Sequence, residues 1–335
     1  MRRWIRGTRM GRGIVAAGLL LMAQAVTQAV ADAPAASGTE SILAAVKERA
    51  IEQVLNSSRS PDPFLRANAV EAMQPLPDRA LPLAQLGLDD EHEAVRFASL
   101  VTIGRLKLTP LGTAAAQRIN DPSPSVRAAA MFAAHLCGSQ VDISQMAMLL
   151  QSPNPSVRGN VAMLLGLMGE PSAAPMLQEL AAVPMPKVSA VRQALVRLQI
   201  AEAMARLGDA SALNAVRAGA YSPFDEVRVL AVQAMGKLGD RWMTTAIVQM
   251  LDEPPIELQL AAAETLARLG QDQGLSVMLQ GAQSDLPPVR AQAAFALGQL
   301  HHKPEAAQAL VKLLDDPQEQ VRLSAAAAIL QGMGP

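Results

Sequence analysis

The sequence is poor in the residues that usually carry chemistry or build β-structure. Of 335 residues, one is cysteine, four are histidine, and 2% are aromatic. The lone Cys137 excludes an intramolecular disulfide, so packing must hold the fold. It reads as a small residue at a helix end, in preference to a reactive or chromophore-linking thiol. Runs of β-branched and aromatic residues are missing, which argues against strands. Half of the residues are apolar, enough for a large core of Ala, Leu, Val and Met packed helix against helix. An all-α fold is expected.

The histidines are His92, His135, His301 and His302. Only His92-Glu93 forms a His–Glu pair, and one pair cannot surround a metal ion. His301-His302 reads as an exposed turn. No Ser–His–Asp, Cys–His or Gly-rich phosphate pattern occurs. Acid pairs such as Asp89-Asp90 and Asp315-Asp316 fall where turns are expected. The sequence offers no catalytic residue, no metal site and no cofactor site.

The first residues differ from the rest. Arg2, Arg3, Arg6, Arg9 and Arg12 precede an apolar run from Ile14 to Val26. Ala29-Val30-Ala31 then supplies small residues at the positions a signal peptidase reads. Residues 1–31 are expected to be a secretory signal cleaved after Ala31, because the run is shorter than the roughly 20 residues of a bilayer span. The alternative is a retained anchor. The cleaved chain would be exported and periplasmic, with no membrane span. It would carry 24 basic and 30 acidic residues, a net charge of −6. A mildly acidic chain with few aromatics lacks the basic stripe and stacking platforms that nucleic acid needs.

What the chain has in quantity is repetition. An apolar-Arg step recurs at Arg66, Arg96, Arg127, Arg158, Arg197, Arg228, Arg290 and Arg322, with Gln259 in the same register. One unit is about 31 residues, and nine units run from about Ser60 to the end. Six residues before the Arg stands a side chain suited to capping a helix: Ser60, Asp90, Asp121, Ser152, Ser222, Ser284 or Asp316. Pro often follows, as at Pro61, Pro122 and Pro153, and is expected at the first helical position. Eleven residues after the Arg comes a glycine in five units, Gly138, Gly169, Gly208, Gly239 or Gly270, as helix ends favour. A second apolar stretch of helical spacing follows, for example Ile143 to Leu150. Each unit is thus helix–turn–helix, and stacking buries what one unit cannot.

The run from Asp121 to Ala130 and the run from Val227 to Gly239 carry this grammar most fully. The pattern resembles HEAT repeats, in the short form also found in phycobilisome lyases. The resemblance covers about residues 60–335 and implies an α-solenoid that binds other proteins. Some proteins with such repeats are di-iron hydroxylases, but the His–Glu pairs they need are absent here. Residues 32–59 are expected to form a capping helix and linker, with Ile42 to Leu55 helical and covering the first unit. The recurring Arg is read as structural, bonding loop carbonyls or a cap carboxylate along the stack. Methionines such as Met131, Met163, Met204 and Met235 fall at apolar helix positions and are expected to fill the core.

Two departures from the period are candidates for contact with partners. Between Arg158 and Arg197 there are eight extra residues, placed around Val183, Pro184, Met185, Pro186 and Lys187. They are expected to lengthen a helix from near Pro186 and to project a loop. The last unit has one helix only, and its apolar face is a candidate for self-association. The leading expectation is a non-catalytic periplasmic interaction scaffold or assembly factor, with a protein partner on a concave face lined by the second helices. The rival is a lyase-like or metal-dependent enzyme, or an enzyme accessory, on the same fold.

Overall fold

The computed structural model describes residues 35–333, among which there are eighteen α-helices and no strand. The segment read as a signal lies outside the described residues. Helix α1 spans Ala35–Ser57. Eight helix pairs follow. They are α2 (Pro63–Ala72) with α3 (Pro77–Gly87), α4 (Glu93–Leu106) with α5 (Gly112–Gln117), and α6 (Pro124–Leu136) with α7 (Gln145–Leu150). Next come α8 (Pro155–Met168) with α9 (Ala174–Ala182), α10 (Ala190–Arg206) with α11 (Ala210–Gly219), and α12 (Asp225–Leu238) with α13 (Thr244–Gln249). The last pairs are α14 (Ile256–Arg268) with α15 (Leu275–Gly281) and α16 (Pro287–Leu297) with α17 (Pro304–Leu313). Helix α18 (Glu319–Gly332) is the first helix of a ninth unit. The chain is an all-α solenoid.

The first helices begin two residues later than the sequence pattern suggests. The side chain six residues before each Arg does not cap the first turn. It accepts from the N–H two residues on: Asp90 from His92, Asp121 from Ser123, Asp316 from Gln318, each at 2.9 Å. These are Asx turns, which lead the chain into the helix. The true caps stand next. Asp62 accepts from Phe64 N at 2.8 Å, and Asn154 accepts from Ser156 N at 2.9 Å. The prolines in the first helical turn are accordingly Pro63, Pro124 and Pro155, not Pro61, Pro122 and Pro153. Helix ends follow expectation: Gly138, Gly169, Gly208, Gly239 and Gly270 all have positive φ, where a Cβ would be strained.

Successive first helices pack side by side, α2 on α4, α4 on α6, and so on to α16 on α18. Small residues let them approach closely. A Cβ on Gly166 of α8 would lie 2.8 Å from the Cα of Ala203 in α10, and one on Gly104 would lie 2.4 Å from the Phe132 ring. The series then returns to its start, because α18 packs on α2. Helix α1 lies against both α18 and α2, the place a second helix would take in the ninth unit. The solenoid is therefore a closed ring of nine inner and nine outer helices, and the outer helix of the last unit comes from the N-terminal end.

Closure changes two expectations. The N-terminal helix does not merely cover the first unit. Val46, Ala50, Ile51 and Val54 share one buried cluster with Leu323, Ala326, Ile329 and Leu330 of α18. The apolar face of α18 is thus already covered inside the chain, so it is not the free surface that self-association would need. Polar contacts fasten the same seam. Arg49 bonds Asp315 at 2.6 Å, and Ser60 Oγ lies 3.2 Å from Glu319 Oε2.

Candidate binding lumen

The Arg of each unit sits one turn inside an inner helix, at the rim. Arg66 reaches back to the carbonyls of Ser60 and Pro61 at 3.0 and 3.3 Å and forward to Asp90 of the next unit, with two bonds of 2.8 Å. Arg96 repeats this with Asp121, at 2.8 and 3.0 Å, and Arg290 with Asp316, at 2.7 and 3.0 Å. Arg228 pairs with Glu253. Arg322 closes the series, bonding the carbonyls of Asp316 and Pro317 and the Gln53 side chain. The planar fork of guanidinium suits such bidentate pairing. The hydrogen bond from Arg66 draws the Asp90 carboxyl below the usual carboxylate range, and that from Arg290 does the same to Asp316.

Three positions depart from the ladder. Arg127 bonds only the Asp121 and Pro122 carbonyls among the described residues, because Ser152 replaces the next acid. Arg158 is 5% exposed and bonds the Ser152 carbonyl at 2.6 Å, while its Nη1 is buried without a partner among the described residues. Lys187 stands where its acid would be. Arg197 is not in the ladder. Helix α10 is capped by Ser189, which puts Gln193 in the Arg position, bonding the Val188 carbonyl at 2.8 Å. Arg197 lies one turn further on and is exposed.

The insertion is also absorbed differently from expectation. Helix α10 starts at Ala190, not near Pro186, and has 17 residues where α8 and α12 have 14. The extra residues are shared between this helix and the loop before it. Met185 does not project: it is 6% exposed and joins the core beside Leu180 and Val196, with Val183 and Val188 packed on it. Pro184, Pro186 and Lys187 remain at the surface. An apolar side chain leaves water wherever a neighbouring cleft admits it, and Met is flexible enough to follow.

Other singled-out residues take modest structural places. His92 caps α4, accepting from Ala94 N at 3.2 Å. Cys137 ends α6, half-buried, and burial pushes its thiol pKa up, which disfavours the reactive thiolate. His302 is held below its usual value by burial and by its neighbours His301 and Lys303.

The ring surrounds a cavity of about 750 Å³. It is lined by the inner, first helices, not by the second helices as the concave face was expected to be. Met163, Leu230 and Phe295 expose apolar surface into it. Met163 is thus not core, whereas Met131 and Met235 are fully buried and Met204 is partly so. Around them stand cations in the last turns of four inner helices: Arg105, Arg206, Lys237 and Arg268. Two are paired within their own helix, Arg206 with Glu202 at 2.7 Å and Arg268 with Glu264 at 2.9 Å. Arg268 also lies over the Phe295 ring, 5.8 Å from its centre. Glu71 faces the same space. It touches water there, yet protein surrounds it, and this desolvation raises its pKa against the pull of Arg105. Sequence reasoning missed the lumen, although the recurrence of a cation nine residues after Arg96, Arg197, Arg228 and Gln259 was legible.

This is the architecture of a HEAT-repeat protein. A family model for HEAT repeats matches residues 112–196 and 244–331, together just over half of the chain, and the chain belongs to that family. No curated protein matches it. Solved structures with a similar fold include human deoxyhypusine hydroxylase in complex with glycerol, at 16% identity over 87% of this chain and 99% of that one, with a TM-score of 0.38. The complex of CpcE and CpcF of phycocyanin lyase from Nostoc sp. PCC7120 matches at 16% identity over 84% of this chain and 93% of that one, with a TM-score of 0.35. Kap121p matches at 12% identity over 95% of this chain and 45% of that one, with a TM-score of 0.35.

Proposed function

We propose that the protein is an exported, non-catalytic interaction scaffold or assembly factor of the periplasm, gripping a protein partner at the lumen of its ring. The observation that carries this reading is the apolar surface of Met163, Leu230 and Phe295, exposed inside a ring of charged and amide side chains. A soluble chain that can build its core from Ala and Leu gains nothing in folding by exposing such residues. Apolar side chains exposed in a concave cavity among a few polar groups suit a binding site. Repeat arrays commonly bind along their concave surface. Among the described residues no three or more His, Cys, Asp and Glu side chains converge on a metal-sized site, and no helix is long and apolar enough to cross a membrane. The charge pattern and the small-residue site at Ala31 support export.

The test is site-specific photo-crosslinking in living cells, with the reactive group at Met163 in the lumen or at Leu86, which is exposed to 74% elsewhere. A discrete protein adduct from Met163 only, recovered in the periplasmic fraction, is expected. Recovery in the cytoplasm with residues 1–31 intact would overturn the export. Adducts from neither position, or from Leu86 only, would overturn the lumen as the gripping surface.

A further inference from the structure

We propose that the lumen holds an extended segment of its partner's chain, aliphatic and acidic in composition, with the segment's backbone read by carboxamide side chains. This rests on the scaffold reading and names what the scaffold grips. Three inner helices present carboxamides to the cavity: Asn68 from α2 and Gln320 from the adjoining α18, with Gln199 from α10. Each has two donors and an acceptor oxygen, the same complement that a peptide group seeks. Among the described residues their side chains make no hydrogen bond to protein; Asn68 and Gln320 are exposed, while the Gln199 carboxamide lies against Gly159 of α8 at the cavity wall. Gln74 and Gln331 add partly used groups, Gln74 donating to Thr102 Oγ1 at 2.9 Å and Gln331 accepting from Gln299 at 3.4 Å.

This lining selects among occupants. A hydrocarbon chain would strip water from the carboxamides and return no hydrogen bond, which is costly. A helix satisfies its own backbone and has no use for them. An extended peptide leaves its N–H and C=O groups free and points alternate side chains to opposite sides. Aliphatic side chains on such a segment meet Met163, Leu230 and Phe295. Acidic ones meet the collar of cations. Lys237 and Arg105 make no ion pair among the described residues. The dimensions agree. An inner helix of 14 residues is about 21 Å long, and an extended chain crosses that in about six residues.

The experiment uses residues 32–335 and three probes. They are a fluorescein-labelled, end-capped hexapeptide alternating Leu and Glu, its Leu–Lys counterpart, and dodecanoate as competitor. Polarisation is expected to show the Leu–Glu peptide binding at least tenfold more tightly than the Leu–Lys peptide. Lys237→Glu is expected to weaken it tenfold or more, with an unchanged melting temperature. Gln199→Leu is expected to weaken it as well. Gln199 also lies against Gly159, so Gln320→Leu, at an exposed position of α18, serves as the second backbone-reading variant. Equal affinity for both peptides, or indifference to Lys237→Glu and to both Gln variants, would overturn the proposal. Displacement of the peptide by dodecanoate would overturn it in favour of an amphiphile site. Retained crosslinking at Met163 in either case would leave the scaffold reading standing.

Discussion

Arg322 Nε donates to Gln53 Oε1 at 3.2 Å, so the last helix of the array is hydrogen-bonded to the first. At Arg66, Arg96, Arg228 and Arg290 the same position reaches the acid of the following unit. Here the following element is the chain's own beginning. The arrangement treats the two chain ends as neighbours in a circle. It also removes the exposed apolar end that an open solenoid must cap.

Deleting residues 32–58 should therefore do more than trim a terminus. It uncovers Leu323, Ala326, Ile329 and Leu330 and removes the buried Val46, Ile51 and Val54. Burying each of these larger aliphatic side chains contributes about 2 kcal/mol, so several kcal/mol are at stake. The truncated chain is expected to melt well below the chain of residues 32–335 and to self-associate in light scattering. A synthetic peptide of residues 35–57 should restore a monomer.

The rim ladder predicts a contrast between two arginines that look alike in sequence. Arg66 holds two carbonyls and one carboxylate at a site where its side chain is 13% exposed and that of Asp90 is 16%. Arg66→Ala leaves Asp90 without its partner and should cost about 2 kcal/mol or more in chemical denaturation. Arg197→Ala, on the exposed face of α10, should change stability by less than about 0.5 kcal/mol.

Acid should act through the same ladder. Asp90 and Asp316 are held below the ordinary carboxylate range by hydrogen bonds from Arg66 and Arg290, as is Asp240, outside the ladder, by Arg217 of the outer helix α11. Each folded pKa lies below the unfolded value of about 3.9, so the stability gained is fully present above that value. It is lost as pH falls through the folded pKa. Melting temperature should decline below about pH 4 on this account. The deficit of Asp90→Asn relative to the parent chain should be largest at neutral pH and shrink in acid.

Glu71 should behave in the opposite sense. Desolvation in the lumen raises its folded pKa, so its charged form is disfavoured in the ring. Its contribution becomes unfavourable as pH rises through the unfolded value of about 4.3 and stays so above the folded pKa. Glu71→Gln is expected to raise the melting temperature at pH 7 and to have little effect at pH 3.

Inner-helix spacing gives a further prediction. A Cβ at Gly166 would stand 2.8 Å from the Cα of Ala203, which is backbone and cannot swing aside. Gly166→Ala should therefore destabilise by about 1–3 kcal/mol by equilibrium unfolding. In a solvent-facing helix the same change would stabilise by about 1 kcal/mol.

Much of the fold was legible because a repeat states its own grammar many times. The helices, their glycine ends and the place of α1 as a helix all follow from periodicity and capping chemistry. The errors lay where one turn of register matters. Asp90 and its equivalents bond the N–H of the cap residue, not the first turn, which shifts each helix start by two residues. Val196-Arg197 copies the motif but lies one turn beyond it, because Ser189 fixed the helix start and Gln193 took the ladder position. Met185 looked like a projecting residue because Pro flanks it on both sides, yet a neighbouring cleft admits it.

The sequence by itself determined that this chain is a stack of about nine HEAT-like units. Each unit's helices, turns and small-residue contacts are set by residues close to one another along the chain. Only the tertiary structure decided that the stack closes, that α1 completes the ninth unit, and that the first helices enclose a lumen. The physical reason is accumulation. A small rotation per repeat, invisible in any one unit, adds up over nine until Gln53 and Arg322, which are 269 residues apart, meet.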